Sequence, residues 1–169
     1  AVTNKVIKKL AETIDFAPIH NPVSFGLIKA CKEKCPGIPQ AVVFDTAFHR
    51  TIPEELSTYA IPMKFTKKYG IRKMGFHGIS HKYVMQEAAK YLGRDVTTQK
   101  IISCHLGTGG ASVCAIDKGK SLNNSMGFTP LEGLIMNTRS GDIDLGIVLY
   151  IMFQKKCTTA EIENILNKK

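Results

Sequence analysis

Ile101-Ile102-Ser103-Cys104, then the glycine-rich segment Gly107-Thr108-Gly109-Gly110, then Val113-Cys114-Ala115-Ile116 and Asp117-Lys118-Gly119 form the most informative stretch of this chain. Short branched apolar runs separated by glycine-bearing turns read as strand, loop, strand, turn, strand. Helical patterns surround this core. Val6, Ile7, Leu10 and Ile14 recur at helical spacing from Thr3 to Ile14, with Thr3 as N-cap. Asn21-Pro22 opens a second helix that ends near Cys35, before Pro36-Gly37. Ser80 to Leu92 is a third helix, stopped by Gly93, and Thr158 with Glu161 three residues on makes a capping box for the last. Ala41-Val42-Val43-Phe44 reads as a buried strand that leaves Asp45 at its C-terminal end, and Asp142 to Phe153, apolar on nearly all sides, as a buried helix. The fold class is therefore α/β, with helices and strands interleaved.

The chain has 169 residues, 44% of them hydrophobic, with 23 Lys+Arg against 14 Asp+Glu and a formal net charge of +9. This composition is globular rather than disordered, and the length suits one domain or pieces of two. No apolar run approaches the ~20 residues needed to cross a bilayer, and no secretory pattern opens the chain, so the expectation is a soluble, cytoplasmic protein with no membrane partner. Five cysteines without metal-finger spacing favour reduced thiols. The basic residues are scattered and lack interleaved aromatics, which argues against a nucleic-acid partner.

Four places could carry chemistry. Gly107 to Gly110 can bring backbone N–H groups against phosphate oxygens, but a strand follows it, which excludes a Walker loop and a dinucleotide fingerprint; a ligand-free hairpin is the plain alternative. Asp45 is either a ligand-facing carboxylate at a strand end or a helix cap. His77 and His81 lie in and beside the glycine-bearing turn Gly75-Phe76-His77-Gly78. Arg139, among small polar residues, could clamp a phosphoryl group, or pair with Asp142. An Asp, several His, an Arg and a glycine loop suit phosphoryl transfer, which demands positioning and charge stabilisation more than a protein nucleophile.

These residues resemble the acetate/propionate/butyrate kinase family of the actin-like ATPase and sugar kinase superfamily. The matches run in family order: Pro18-Ile19-His20-Asn21-Pro22, Val43-Phe44-Asp45-Thr46-Ala47-Phe48-His49, Tyr69-Gly70-Ile71-Arg72 into Gly75-Phe76-His77-Gly78, Cys104-His105-Leu106-Gly107, Ser125-Met126-Gly127 through Leu134, and Thr138-Arg139-Ser140-Gly141-Asp142-Ile143-Asp144. The resemblance implies part of a two-domain, ribonuclease H-like α/β fold, with residues 1–48 ending a first domain and 49–169 beginning a second. It implies reversible, Mg2+-assisted transfer of a phosphoryl group from ATP to a short-chain carboxylate such as acetate, giving an acyl phosphate and ADP, in an enzyme that is a homodimer when complete.

Carried over by motif, Asp45, His77 and Arg139 match the catalytic residues. His20 matches a histidine of the cleft, and His105, Leu106, Gly107, Thr108 and Gly109 match the phosphate-binding loop. His81 follows the pattern as a neighbour of His77. Thr108 stands where the family often has Asn, and Asn137 where Gly is common. No metal ligands are expected within this segment, since those of the family fall in parts without a counterpart here. The chain is accordingly expected to be a central fragment, incomplete for catalysis. The alternatives are a propionate or butyrate kinase fragment and a non-catalytic binding or assembly piece.

Overall fold

The computed structural model describes residues 1–12 and 21–168. Ile14 and His20 therefore lie outside the described residues. Two compact units divide between Phe44 and Asp45.

In the first unit, α1 (Asn4–Ala11) starts where expected, because the Thr3 hydroxyl accepts the Val6 N–H at 3.2 Å. The second helix, α2 (Asn21–Lys34), also starts and stops as its Asn-Pro opening and Pro36-Gly37 exit predict. The Val2 N–H donates to the Gln40 carbonyl, and the Gln40 amide donates to the Cys31 carbonyl beyond the middle of α2. Ala41 to Phe44, however, is not a strand. A short branched run becomes one only if another strand completes its ladder. None does so among the described residues, and Val43 is 75% exposed.

The second unit begins with a 3-10 helix (Ala47–Thr51) and the short helices α3 (Glu54–Ser57) and α4 (Met63–Tyr69). It continues through α5 (Gly78–Tyr91) and a 3-10 turn (Val96–Thr98) into β1 (Lys100–Leu106), β2 (Ala111–Asp117) and β3 (Lys120–Asn124). The three strands form an antiparallel sheet in the order β1-β2-β3. Gly107 donates its N–H to the Gly110 carbonyl at 3.1 Å, so the glycine segment is the tight turn between strands that the sequence predicts.

Strand alternation places Ile101, Ser103 and His105 of β1 with Ser112, Cys114 and Ile116 of β2 on the inner face. The register pairs Ser103 with Cys114 and His105 with Ser112. The buried residues Gly78, His81, Met85 and Ala89 line one stripe of α5, and Met85, Cys114 and Ile116 form the apolar core.

Helices α6 (Leu145–Lys155) and α7 (Thr159–Lys168) end the chain. The capping box is present: the Glu161 carboxylate accepts the Thr158 N–H at 2.8 Å and the Thr158 hydroxyl accepts the Glu161 N–H at 3.3 Å. Helix α6 corrects the expectation of burial, for it has no buried residue. Asp144 caps it by accepting the Gly146 N–H at 2.7 Å, so the helix forms locally, but its apolar circumference lies uncovered among the described residues.

Met85, 3% exposed, and Leu149, 68% exposed, should therefore respond differently to truncation. Met85→Ala should cost about 2–5 kcal/mol in a urea unfolding titration of this chain. Leu149→Ala should stay within ~0.5 kcal/mol.

Candidate active site

The Ala41 to Phe44 run before Asp45 is not a strand, and of the two alternatives left open for Asp45 the structure shows the helix cap. Its Oδ2 accepts the His77 N–H at 2.5 Å, its Oδ1 accepts the Ile79 N–H at 3.4 Å, and its backbone carbonyl accepts the Gly78 N–H at 2.8 Å. It thus caps α5, a helix more than thirty residues ahead, and places a negative charge at the positive end of that helix. Gly78 permits this closeness: a Cβ there would lie 2.2 Å from the Asp45 carbonyl oxygen.

Held this way, His77 takes a left-handed backbone conformation with φ +59°. This region is uncommon for a side-chain-bearing residue and is sustained by the surrounding hydrogen bonds. Its Nδ1 lies 2.8 Å from the Ser112 hydroxyl, and its ring stacks on that of His105 with centroids 3.9 Å apart. His105 is anchored in turn by the Ser80 hydroxyl, 2.9 Å from its Nδ1. Burial, then the neighbouring His105 ring, push the His77 pKa down, while Asp45 opposes the shift.

Arg139 arrives from a loop closed on itself. The Gly133 carbonyl accepts the Asp142 N–H and the Asp142 carboxylate accepts the Gly133 N–H, each at 2.8 Å, while the Ser140 N–H donates to the Leu166 carbonyl of α7. Asp142 therefore holds the loop, and the Arg139 guanidinium donates to the Pro130 carbonyl at 3.2 Å; among the described residues Arg139 makes no ion pair. Burial pushes its pKa down.

Arg139 and His77 meet at Gly110. A Cβ built on this buried glycine would stand 3.2 Å from Arg139 Nη1 and 3.3 Å from His77 Nε2. The missing side chain lets a guanidinium and an imidazole close in on the same backbone position, a pair suited to an anionic oxygen.

The remaining residues of the expected phosphate loop divide. Gly107, Thr108 and Gly109 form the exposed turn next to this spot. Leu106 lies on the outward alternation of β1, 75% exposed, so its side chain is not brought into the cluster. Among the described residues no group of three or more His, Cys, Asp or Glu could hold a metal ion. The side chains of the described residues thus do not fit an all-protein Mg2+ site.

Sequence reasoning missed the serines and the role of a second buried histidine, His49, beside His81. His81 is fully buried, with Nδ1 2.9 Å from the Ser103 hydroxyl and Nε2 2.8 Å from the Ser112 hydroxyl. His49 is buried as well, its Nε2 donating to the Phe76 carbonyl and its Nδ1 facing the Ser121 hydroxyl, both at 2.8 Å. The two-residue alternation of β1 and β2 was the available signal, since it places Ser103, His105 and Ser112 on one face. Also unforeseen is the anchoring of Glu132, whose carboxylate pairs with Lys73 at 2.8 Å and accepts a hydrogen bond from Tyr59. Burial, reinforced by Glu132, pushes the Tyr59 pKa up.

Burial, more than the neighbouring histidines, lowers the His81 pKa from its ordinary 6.5 to about 4. Between those values the unfolded chain binds a proton that the folded chain refuses, so stability falls as pH falls from 6.5 toward 4. Denaturant titrations across that window should show this slope, and His81→Gln should flatten it whatever it does to the stability at neutral pH.

The acetokinase family profile matches residues 1–169. The acetate kinase of Halothermothrix orenii is 52% identical over 168 residues, which is 99% of this chain and 42% of that protein. Among solved structures, acetate kinase from Porphyromonas gingivalis superposes with a TM-score of 0.90 at 45% identity, over 99% of this chain and 42% of that one. A propionate kinase from Francisella tularensis gives 0.92 at 46% identity, over 99% and 43%. The mixed helix-and-sheet architecture accords with the α/β, actin-like ATPase class expected above. This chain spans 42% of the length of the curated relatives it matches, and over its whole length it belongs to the acetokinase family.

Proposed function

We propose that this chain is the central part of an acetate kinase, which transfers a phosphoryl group reversibly from ATP to acetate, giving acetyl phosphate and ADP. One observation carries the reading: Arg139 and His77 converge on the backbone of Gly110. A phosphoryl group in transfer spreads negative charge over its peripheral oxygens, and two fixed donors facing that charge stabilise the transition state more than the ground state. Asp45 contributes by holding the His77 backbone, and the exposed turn Gly107 to Gly109 lies beside the same spot.

On this reading residues 1–48 end one domain and 49–169 begin the next, and the complete enzyme is a cytoplasmic homodimer that takes ATP with Mg2+. His20 and ligands outside this segment complete the site, and the chain by itself is incomplete for catalysis. Propionate as acceptor is the second reading, favoured by the likeness to a propionate kinase structure.

The test is a hydroxamate-trapping assay on the full-length protein carrying this sequence, with acetate and propionate compared under Mg-ATP. Acetyl hydroxamate should accumulate with the higher kcat/KM for acetate. No acyl hydroxamate with either acid would reject the reading.

Arg139→Ala should lower kcat by about 100-fold or more while leaving the KM for ATP nearly unchanged. Lysine should restore only part of the loss, because it lacks the planar fork. A raised KM with unchanged kcat would make Arg139 a ground-state binder.

Asp45→Asn offers one acceptor oxygen where two N–H groups now find carboxylate oxygens, and it turns an NH2 group toward the other. Turnover should drop by about 100-fold with far-UV circular dichroism unchanged. Near-normal turnover would reduce Asp45 to a cap that asparagine can replace.

A further inference from the structure

Four side chains run in one hydrogen-bonded row through the interior: Ser103, His81, Ser112 and His77. The links are 2.9 Å from Ser103 Oγ to His81 Nδ1, 2.8 Å from His81 Nε2 to Ser112 Oγ, and 2.8 Å from Ser112 Oγ to His77 Nδ1. Ser103, His81 and Ser112 are buried, so water does not stand in for any of the inner partners. The row is built by tertiary structure: Ser103 and Ser112 come from adjacent strands, and the two histidines from the start and first turn of α5.

The hydrogen count makes the row directional. A neutral imidazole has one N–H and one lone-pair nitrogen, and a serine hydroxyl with two nitrogen partners donates to one and accepts from the other. Reversing any link therefore reverses them all. In one direction both histidines carry their proton on Nε2; in the other both carry it on Nδ1.

The outer end of the row faces the site. His77 Nε2 lies beside Gly110, which Arg139 Nη1 also approaches. A phosphoryl oxygen placed there accepts hydrogen bonds and gives none, so it requires an N–H at Nε2, which the first direction alone supplies. The stacked His105 ring, itself tied to Ser80, braces the His77 ring against rotation.

We propose that Ser103, His81 and Ser112 are positioning residues that act through His77: their hydrogen-bond row ties its tautomer to that of His81, so that an anion held by Arg139 beside Gly110 selects Nε2–H on both neutral rings. The consequence for turnover rests on the phosphoryl-transfer reading above; the tautomer itself does not. Burial lowers the pKa of both His77 and His81, which keeps both rings neutral near pH 7.5.

The experiment records 15N chemical shifts of the histidine side chains in the full-length protein at pH 7.5, alone and with saturating Mg-ATP, for wild type, Ser112→Ala and Ser103→Ala. In wild type, His77 and His81 should share one tautomer, Nε2–H with Mg-ATP bound. Ser112→Ala should uncouple them, so that His77 populates Nδ1–H as well, with kcat reduced roughly 10-fold or more and both KM values within about twofold. Ser103→Ala, at the far end, tests the same coupling should the Ser112 variant fail to fold. Different tautomers on the two wild-type rings, an imidazolium at His77, or variants with unchanged tautomers and kcat would overturn the proposal. A protein that shows the shared tautomer but forms no acyl phosphate would remove the functional reading and leave the row standing, whereas acyl phosphate formation with mismatched tautomers would remove the row alone.

Discussion

The seating of α5 on the three-stranded sheet through a fully buried histidine is the contact on which the second unit depends. His81 lies between Ser103 and Ser112 and satisfies both ring nitrogens without water. A buried imidazole with a missing partner would cost more than the hydrogen bond itself returns. The arrangement therefore holds only for one depth and rotation of α5 and one register of β1 on β2. Because strand side chains alternate, a one-residue slip would turn Ser112 outward and put Val113 beneath the helix. Apolar packing by Met85, Cys114 and Ile116 supplies cohesion further along, but greasy contacts tolerate sliding that this polar contact does not.

The same constraint locates the candidate site. Once α5 is seated, its N-terminal residue His77 emerges at the β1–β2 turn, and Asp45 holds it there by capping the helix from a distant part of the chain. The Arg139 loop is pinned separately, through Asp142, Gly133 and the Leu166 carbonyl of α7. Two independently braced elements thus deliver a cation and an imidazole to a glycine with no side chain. Pre-organisation of this kind is what phosphoryl transfer asks of a protein, since the groups need not be gathered when charge develops.

Apolar surface is distributed unevenly. Helix α6 presents Leu145, Leu149, Tyr150 and Phe153 largely to solvent, although its composition is that of an interior helix. Hydrophobicity describes what a helix would gain by burial; the partner that realises the gain belongs to the tertiary or quaternary arrangement. In the Ala41–Phe44 run the missing element is a ladder partner, and among the described residues the run forms no strand.

Local chemistry made much of this protein legible from sequence. Thr3 and the Thr158–Glu161 box act through neighbours within three residues, and the glycine turns separate strands whose alternation is visible in the chain. Motif order likewise pointed to Asp45, His77, His105 and Arg139. What the sequence could not reveal is which partners meet: that the Asp45 carboxylate caps a helix beginning at Gly78, that Ser112 lies opposite His105 and beneath His77, and that Asp142 serves Gly133 rather than Arg139. Capping and turn preferences are decided by atoms a few bonds apart, so residue type and spacing suffice for them. The contacts that bring Asp45 and Ser112 to His77 join residues more than thirty positions apart, and only the packing of α5 on the sheet, with its single allowed register, determines which of them meet.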